Sequence, residues 1–196
     1  MNQPVMRAAP LSRRKIESVT EKILKDFCPE ALSEMISLDI EKMFEIYLPK
    51  RFGVKTSYQE LSAGIHGYTD PTKMTSAIAV NLIETDDPAT LRFGRSTTGH
   101  EIGHAVLHAN QFRKRKAELR FLHDEKHSSP ILFRQEDLKP YENPEWQAWE
   151  FCKSLFLPAN IIGEAVKQGL TSRDIADKVN LNPAFIDVRL KNLKLN

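Results

Sequence analysis

The sequence predicts an α+β fold, and three observations carry that expectation. Helical patterning occupies both ends of the 196-residue chain, and short β-leaning segments fill residues 54–82. The run His100-Glu101-Ile102-Gly103-His104 then sits at helical spacing directly after them.

Residues 1–14 read as a flexible tail, because Pro4 and Pro10 interrupt it. Over 15–27, Ile16, Val19, Ile23, Leu24 and Phe27 recur at the period of a helix. A second helix is expected over 38–47, with Leu38, Ile40, Met43, Phe44 and Tyr47 as its apolar residues and Pro49 and Gly53 closing it. Segments 54–61, 64–69 and 77–82 are separated by Gly, Pro, Asp and Ser and predict a small antiparallel sheet. Asp86-Asp87-Pro88 reads as a turn, with a helix from about Thr98 to Asn110. Residues 111–141 are polar and irregular, with Ile131-Leu132-Phe133 as one candidate strand. A helix over 144–157, another after Pro158 and two short ones complete the chain.

Composition sets the class. The chain is 41% hydrophobic and 28% charged, as an ordinary globular protein is. A net charge of +2 is too small to argue for nucleic acid or membrane. Cys28 and Cys152 make no disulfide framework and favour a reducing setting. The N-terminus carries no apolar core of signal-peptide length, and no apolar run reaches membrane-span length. A cytoplasmic protein away from membranes is expected, with a main domain over 15–168 and a helical extension over 169–196.

The run HEIGH carries the chemistry. A helix turns about 100° per residue, so His100 and His104 point the same way and can share one Zn²⁺. Glu101 stands beside that position, where a general base for water belongs. Glu101 has a second reading, because Thr98-Gly99-His100-Glu101 also fits a capping box that merely starts a helix. His108 has turned about 80° from His100, which makes it a poor third ligand and suits a supporting or packing role. His123 and His127 form a second pair in a polar segment, with Glu125 one place out of step.

Catalytic zinc takes three protein ligands and keeps one position open. Glu145 is the candidate third ligand. Asn143 is a suitable N-cap and Pro144 a suitable first helical residue. Glu145 falls on one stripe with Ala148, Trp149, Cys152 and Phe156. A carboxylate on such a stripe is costly unless paired or metal-bound. Glu142 precedes the helix and Glu150 points elsewhere. The alternative for Glu145 is a first-turn glutamate favoured by the helix dipole.

At this point the chain resembles the ImmA/IrrE metallopeptidases. His100 to His108, HEIGHAVLH, is similar to that family's HELGH-x-x-LH block, with Arg92 and Arg95 and the strand Ala79-Val80-Asn81 ahead of it. Glu145, Ala148, Phe151, Leu155, Leu157 and Pro158 are similar to its second signature. The resemblance implies a zincin-like core, zinc held by His100, His104 and Glu145, and Glu101 as the base. It implies a regulatory protease whose partner is a helix-turn-helix repressor. Ser96, Cys152 and Leu157 depart from the pattern as packing changes and remove no ligand. Glu101 would take a proton from the attacking water and pass it to the leaving amine. Tyr141, His66 and Tyr68 are conceivable oxyanion donors among which the sequence does not choose.

Residues 171–193 resemble a helix-turn-helix, with Ser172 and Asn182 as caps, Ile175, Ala176 and Val179 on one face, and Phe185, Ile186, Leu190 and Leu193 on the other helix. The positions expected to be exposed, Asp187, Arg189 and Lys191, are mixed in charge, which argues against DNA contact and for packing or substrate docking. Arg113-Lys114-Arg115-Lys116 reads as a solvated run or, alternatively, a contact for an acidic partner. The rival to a peptidase is a non-catalytic regulator that uses the same fold to bind DNA or a protein.

Overall fold

A computed structural model describes residues 5–114 and 132–195. The segment ahead of the first helix, expected to be loose, is tied down from Val5 onward. Strand β1 (Val5–Met6) pairs antiparallel with β5 (Leu132–Phe133), which matches the candidate strand there for two of its three residues. Ala8 N donates to Glu142 O and Leu11 N to Tyr141 O, at 2.9 and 2.8 Å. Backbone pairing of this kind orders a Pro-broken segment that has no periodicity of its own.

Helix α1 (Arg13–Phe27) starts at Ser12, whose side chain accepts from Lys15 N, and buries Ile16, Thr20, Ile23 and Leu24. The second helical stretch runs further than expected. α2 (Ile40–Lys42) passes through a π turn (Met43–Tyr47) into α3 (Leu48–Phe52), so Pro49 lies inside the helix. Proline lacks an N–H and crowds the carbonyl four residues back. The π turn opens the ladder there, with Leu48 N reaching Met43 O. Gly53, at φ 68°, ends the stretch as a left-handed cap.

The sheet differs from the expected antiparallel one. Strand β2 (Lys55–Gln59), β3 (Gly67–Asp70) and β4 (Thr75–Ala79) lie in the order β2-β4-β3, with β2 parallel and β3 antiparallel to β4. β4 is the inner strand and is buried over its last four residues. Local alternation of apolar and polar residues carries no information about strand direction. Residues 80–82, expected to extend the last strand, form a short 3₁₀ turn.

Helix α4 (Pro88–His104) begins ten residues earlier than expected. Asp87 caps it by accepting from Thr90 N at 2.9 Å. Thr98 is therefore mid-helix, and its hydroxyl donates to Gly94 O at 2.9 Å. The capping-box reading of Glu101 falls with that observation. A π turn (Ala105–Ala109) follows, and the helix continues over 110–114. His123, Glu125, His127, Arg115 and Lys116 lie outside the described residues.

Asn143 caps α5 (Pro144–Phe156), accepting from Glu145 N and Trp146 N, with Pro144 in the first turn as expected. α6 (Ala159–Lys167), α7 (Ser172–Val179) and α8 (Pro183–Leu193) complete the fold. Thr171 caps α7 through a capping box with Asp174, one residue ahead of the expected Ser172. The extension packs on the core: Ile175, Ala176, Val179, Leu181, Ile186 and Leu190 join the same buried cluster as Ile16, Ile78 and Leu155. Arg189, expected at the surface, is fully buried. It sits three residues after Ile186 and four before Leu193, so it shares their inward face. Its guanidinium donates to Leu157 O at 3.1 Å and pairs with Glu17 at 3.0 Å.

The arginines ahead of the HEIGH run fasten α4 to its neighbours. Arg95 is buried and donates to Leu38 O at 2.7 Å and Asn180 O at 3.1 Å. Arg92 pairs with Asp177 at 2.8 Å. The arrangement is α+β, mostly helical, with a small three-stranded mixed sheet. Among the described residues, no helix is long and apolar enough to cross a membrane.

Candidate metal centre

α4 and α5 cross at a glycine seam. A Cβ on Gly99 would lie 2.7 Å from the Phe156 ring and 2.9 Å from Cys152 Sγ. A Cβ on Gly103 would lie 2.9 Å from Ala148 O. Absent side chains on α4 let α5 come close. That approach delivers the first turn of α5, and with it Glu145, to the imidazoles of α4.

Three ligand atoms converge. His100 Nε2 lies 3.0 Å from His104 Nε2 and 3.2 Å from Glu145 Oε2, and His104 Nε2 lies 3.3 Å from Glu145 Oε1. One ligand atom from each residue falls within 4.8 Å of the others. A tetrahedral zinc with ligands at about 2.0–2.1 Å spaces them about 3.3–3.4 Å apart. The observed spacings are close to that edge length. Two imidazoles and a carboxylate are also the donor set such an ion takes. Among the described residues no other cluster of this kind occurs.

Burial grades across the centre. His100 is 7% exposed, whereas the side chain of Glu145 is 34% exposed, so solvent reaches the centre from the Glu145 side. Trp149 lies over His100, ring centroids 4.2 Å apart, and fixes the plane of that ring. Burial works against the ionised Glu145 carboxylate, but hydrogen bonds and charge from the two imidazoles outweigh it. Its pKa is held well below the usual carboxylate range. Burial likewise depresses the His104 pKa, and Glu145 outweighs that and raises it.

Glu101 is buried and points toward the sheet edge. Thr69 on β3 donates to Glu101 Oε2 at 2.7 Å, and the Ser76 hydroxyl stands 3.0 Å behind Thr69. A Cβ on Gly67 would meet Glu101 Cγ at 2.9 Å, so that glycine leaves room for the carboxylate's stem. Sequence reasoning missed Thr69, because nothing local marks a mid-strand threonine as a partner of a residue 32 positions away. It missed the contact of Trp149 with His100 too, although Trp149 shares the Glu145 stripe. Of the conceivable oxyanion donors, Tyr68 donates its hydroxyl to Gln59 at 3.3 Å, Lys139 lies over the Tyr141 ring, and His66 meets Phe93 edge-on.

The other two carboxylates weighed at α5 have partners of their own. Glu150, which sequence reasoning set aside, is 1% exposed and neutralised by Arg13 and Lys153, each at 2.7 Å. Glu142 pairs with Arg7.

No family model matches the chain, and no curated protein matches it. Among solved structures, a Mycobacterium tuberculosis transcriptional regulator is similar, with a TM-score of 0.55 at 10% identity. The similarity covers 90% of this chain and 46% of that one, so this chain spans less than half the length of that regulator. Likeness at such identity concerns the fold alone, and it agrees with the α+β arrangement described above.

Proposed function

We propose that the chain is a zinc-dependent endopeptidase of the ImmA/IrrE type, built on a zincin-like core and acting in the cytoplasm on a helix-turn-helix transcriptional repressor. The observation that carries the reading is the convergence of His100 Nε2, His104 Nε2 and the Glu145 carboxylate. These three residues would hold the ion. A zinc ion bound there supplies Lewis acidity toward a scissile carbonyl and eases ionisation of water. Glu101, adjacent to the first ligand and held by Thr69, accepts the proton of the attacking water and delivers it to the departing amine. Trp149 and the partly exposed face of Glu145 border the side from which a peptide reaches the centre.

The test is cleavage of a small helix-turn-helix repressor, taken first from the neighbouring gene, by the wild type and Glu101→Gln. Cleavage by the wild type, with zinc retained but cleavage lost in the variant, supports the reading. Equal behaviour of the two proteins sinks it.

A second reading has one observation in its favour: the similar solved structure is described as a transcriptional regulator. In that reading the chain is a non-catalytic regulator that binds DNA or a protein partner. The burial of Arg189 removes a cation from the α8 face that would have to read DNA, which counts against the DNA-binding form of that reading.

A further inference from the structure

The helix of the metal centre carries a third imidazole, His108, and a carboxamide on α5 governs it. Gln147 is fully buried. Its amide nitrogen donates to Ala9 O at 2.9 Å and to Tyr141 O at 2.7 Å. Carbonyl oxygens can only accept, so the amide group cannot turn over. Its own oxygen is thereby left facing His108 Nε2 at 2.9 Å. An amide oxygen needs a donor, so His108 carries its hydrogen on Nε2 and a lone pair on Nδ1. That lone pair faces His104 Nδ1 at 3.2 Å. Two bare nitrogens at that distance would repel, so His104 holds its hydrogen on Nδ1. In the neutral ring the lone pair is then on Nε2, the atom directed at His100 and Glu145.

We propose that Gln147 and His108 are positioning residues, forming a hydrogen-bond relay that selects the His104 tautomer able to ligate a metal through Nε2. The inference rests on the zinc reading of the centre and deepens it. Metal-bound histidines are commonly steered by an acceptor on their far nitrogen, and loss of such a partner costs about 10- to 100-fold in affinity. In this chain the acceptor is another imidazole, itself set by an amide anchored to the N-terminal segment. Ala9, which supplies one anchor, belongs to the stretch pinned by Ala8 N and Leu11 N. Phe112 stacks on His108 with ring centroids 5.6 Å apart and planes 19° from parallel, which holds the ring for both bonds. His100 differs: its Nδ1 is buried without a hydrogen-bond partner among the described residues, and Trp149 fixes its plane instead.

The experiment is nitrogen NMR of histidine-labelled full-length protein without metal, at a pH high enough that His104 is neutral, followed by zinc titration against a competing chelator. The relay predicts hydrogen on Nε2 of His108 and on Nδ1 of His104 in the wild type. In Gln147→Met, both rings should become tautomer mixtures, and zinc affinity should fall about 10-fold or more. A wild type with the opposite tautomers overturns the relay even if zinc binds well, and so does a Gln147→Met protein whose tautomers are unchanged. A merely structural role for Gln147 would lower stability without moving either tautomer. Predicted tautomers in a wild type that takes up no zinc would support the relay while refuting the peptidase reading.

Discussion

Gly103 faces Ala148 across the α4–α5 crossing so closely that a methyl group on it would stand 2.9 Å from Ala148 O and 3.1 Å from Ala148 Cα. Both atoms are backbone, so neither can swing aside. Gly103→Ala should push α5 away from α4 and draw Glu145 back from the imidazoles. Overpacking of this kind costs about 1–3 kcal/mol. Denaturant unfolding should show that loss, and a zinc titration should show weaker binding. An alanine variant unchanged in both would mean that the close approach does not position the centre.

Thr69 donates to Glu101 Oε2 at 2.7 Å. Thr69→Val keeps the shape of the side chain and removes the donor. Zinc affinity should stay within about twofold, because none of the three ligands is touched, while the turnover rate falls about 10-fold through a less well-aimed base. Loss of zinc with unchanged turnover per bound ion would contradict this role.

Glu150 is held between Arg13 and Lys153 in the interior. Burial alone would raise its pKa, but the hydrogen bonds and charges of Arg13 and Lys153 outweigh that and leave it below the ordinary glutamate value. A depressed folded pKa adds stability that is fully present above about pH 4.5 and is lost as pH falls through the lower folded value. Glu150→Gln should cost about 3 kcal/mol at neutral pH, because it strands two cations. The gap between variant and wild type should narrow in unfolding experiments carried from pH 7 toward pH 3. A gap that stays constant over that range would show that the carboxylate's charge is not the source.

Arg95 reaches Leu38 O and Asn180 O from within α4. Arg95→Met fills the space but leaves both carbonyls without that donor, at about 1–3 kcal/mol each when buried. Urea unfolding should show a loss of about 2 kcal/mol or more. Zinc affinity should hold, because residue 95 lies on α4 more than a full turn before His100. Unaltered stability would show that these bonds do not fasten α4 to its neighbours.

Much of the site was legible because its logic is local. The four-residue spacing of His100 and His104 fixes their common direction on any helix. Asn143-Pro144 announces a helix start, which placed Glu145 in a first turn. What escaped was set over long distances. Pro88–Thr97 lacks an apolar period, since Gly94 is there to clear Leu82 O, only 2.4 Å from where a Cβ would stand. The parallel pairing of β2 with β4 is invisible to alternation. Arg189 was assigned to solvent by residue type, although its spacing from Ile186 and Leu193 marks the inner face. Gln147 and Thr69 act across 39 and 32 positions, and no local pattern pairs them with the helix of the metal centre.

The central claim is that His100, His104 and Glu145 form a zinc site. It is tested most directly by elemental analysis of the purified full chain after dialysis, with Glu145→Ala measured alongside. The account predicts about one zinc per wild-type chain and a large loss in the variant. A wild type that carries no zinc, and takes none up when it is supplied, would contradict it.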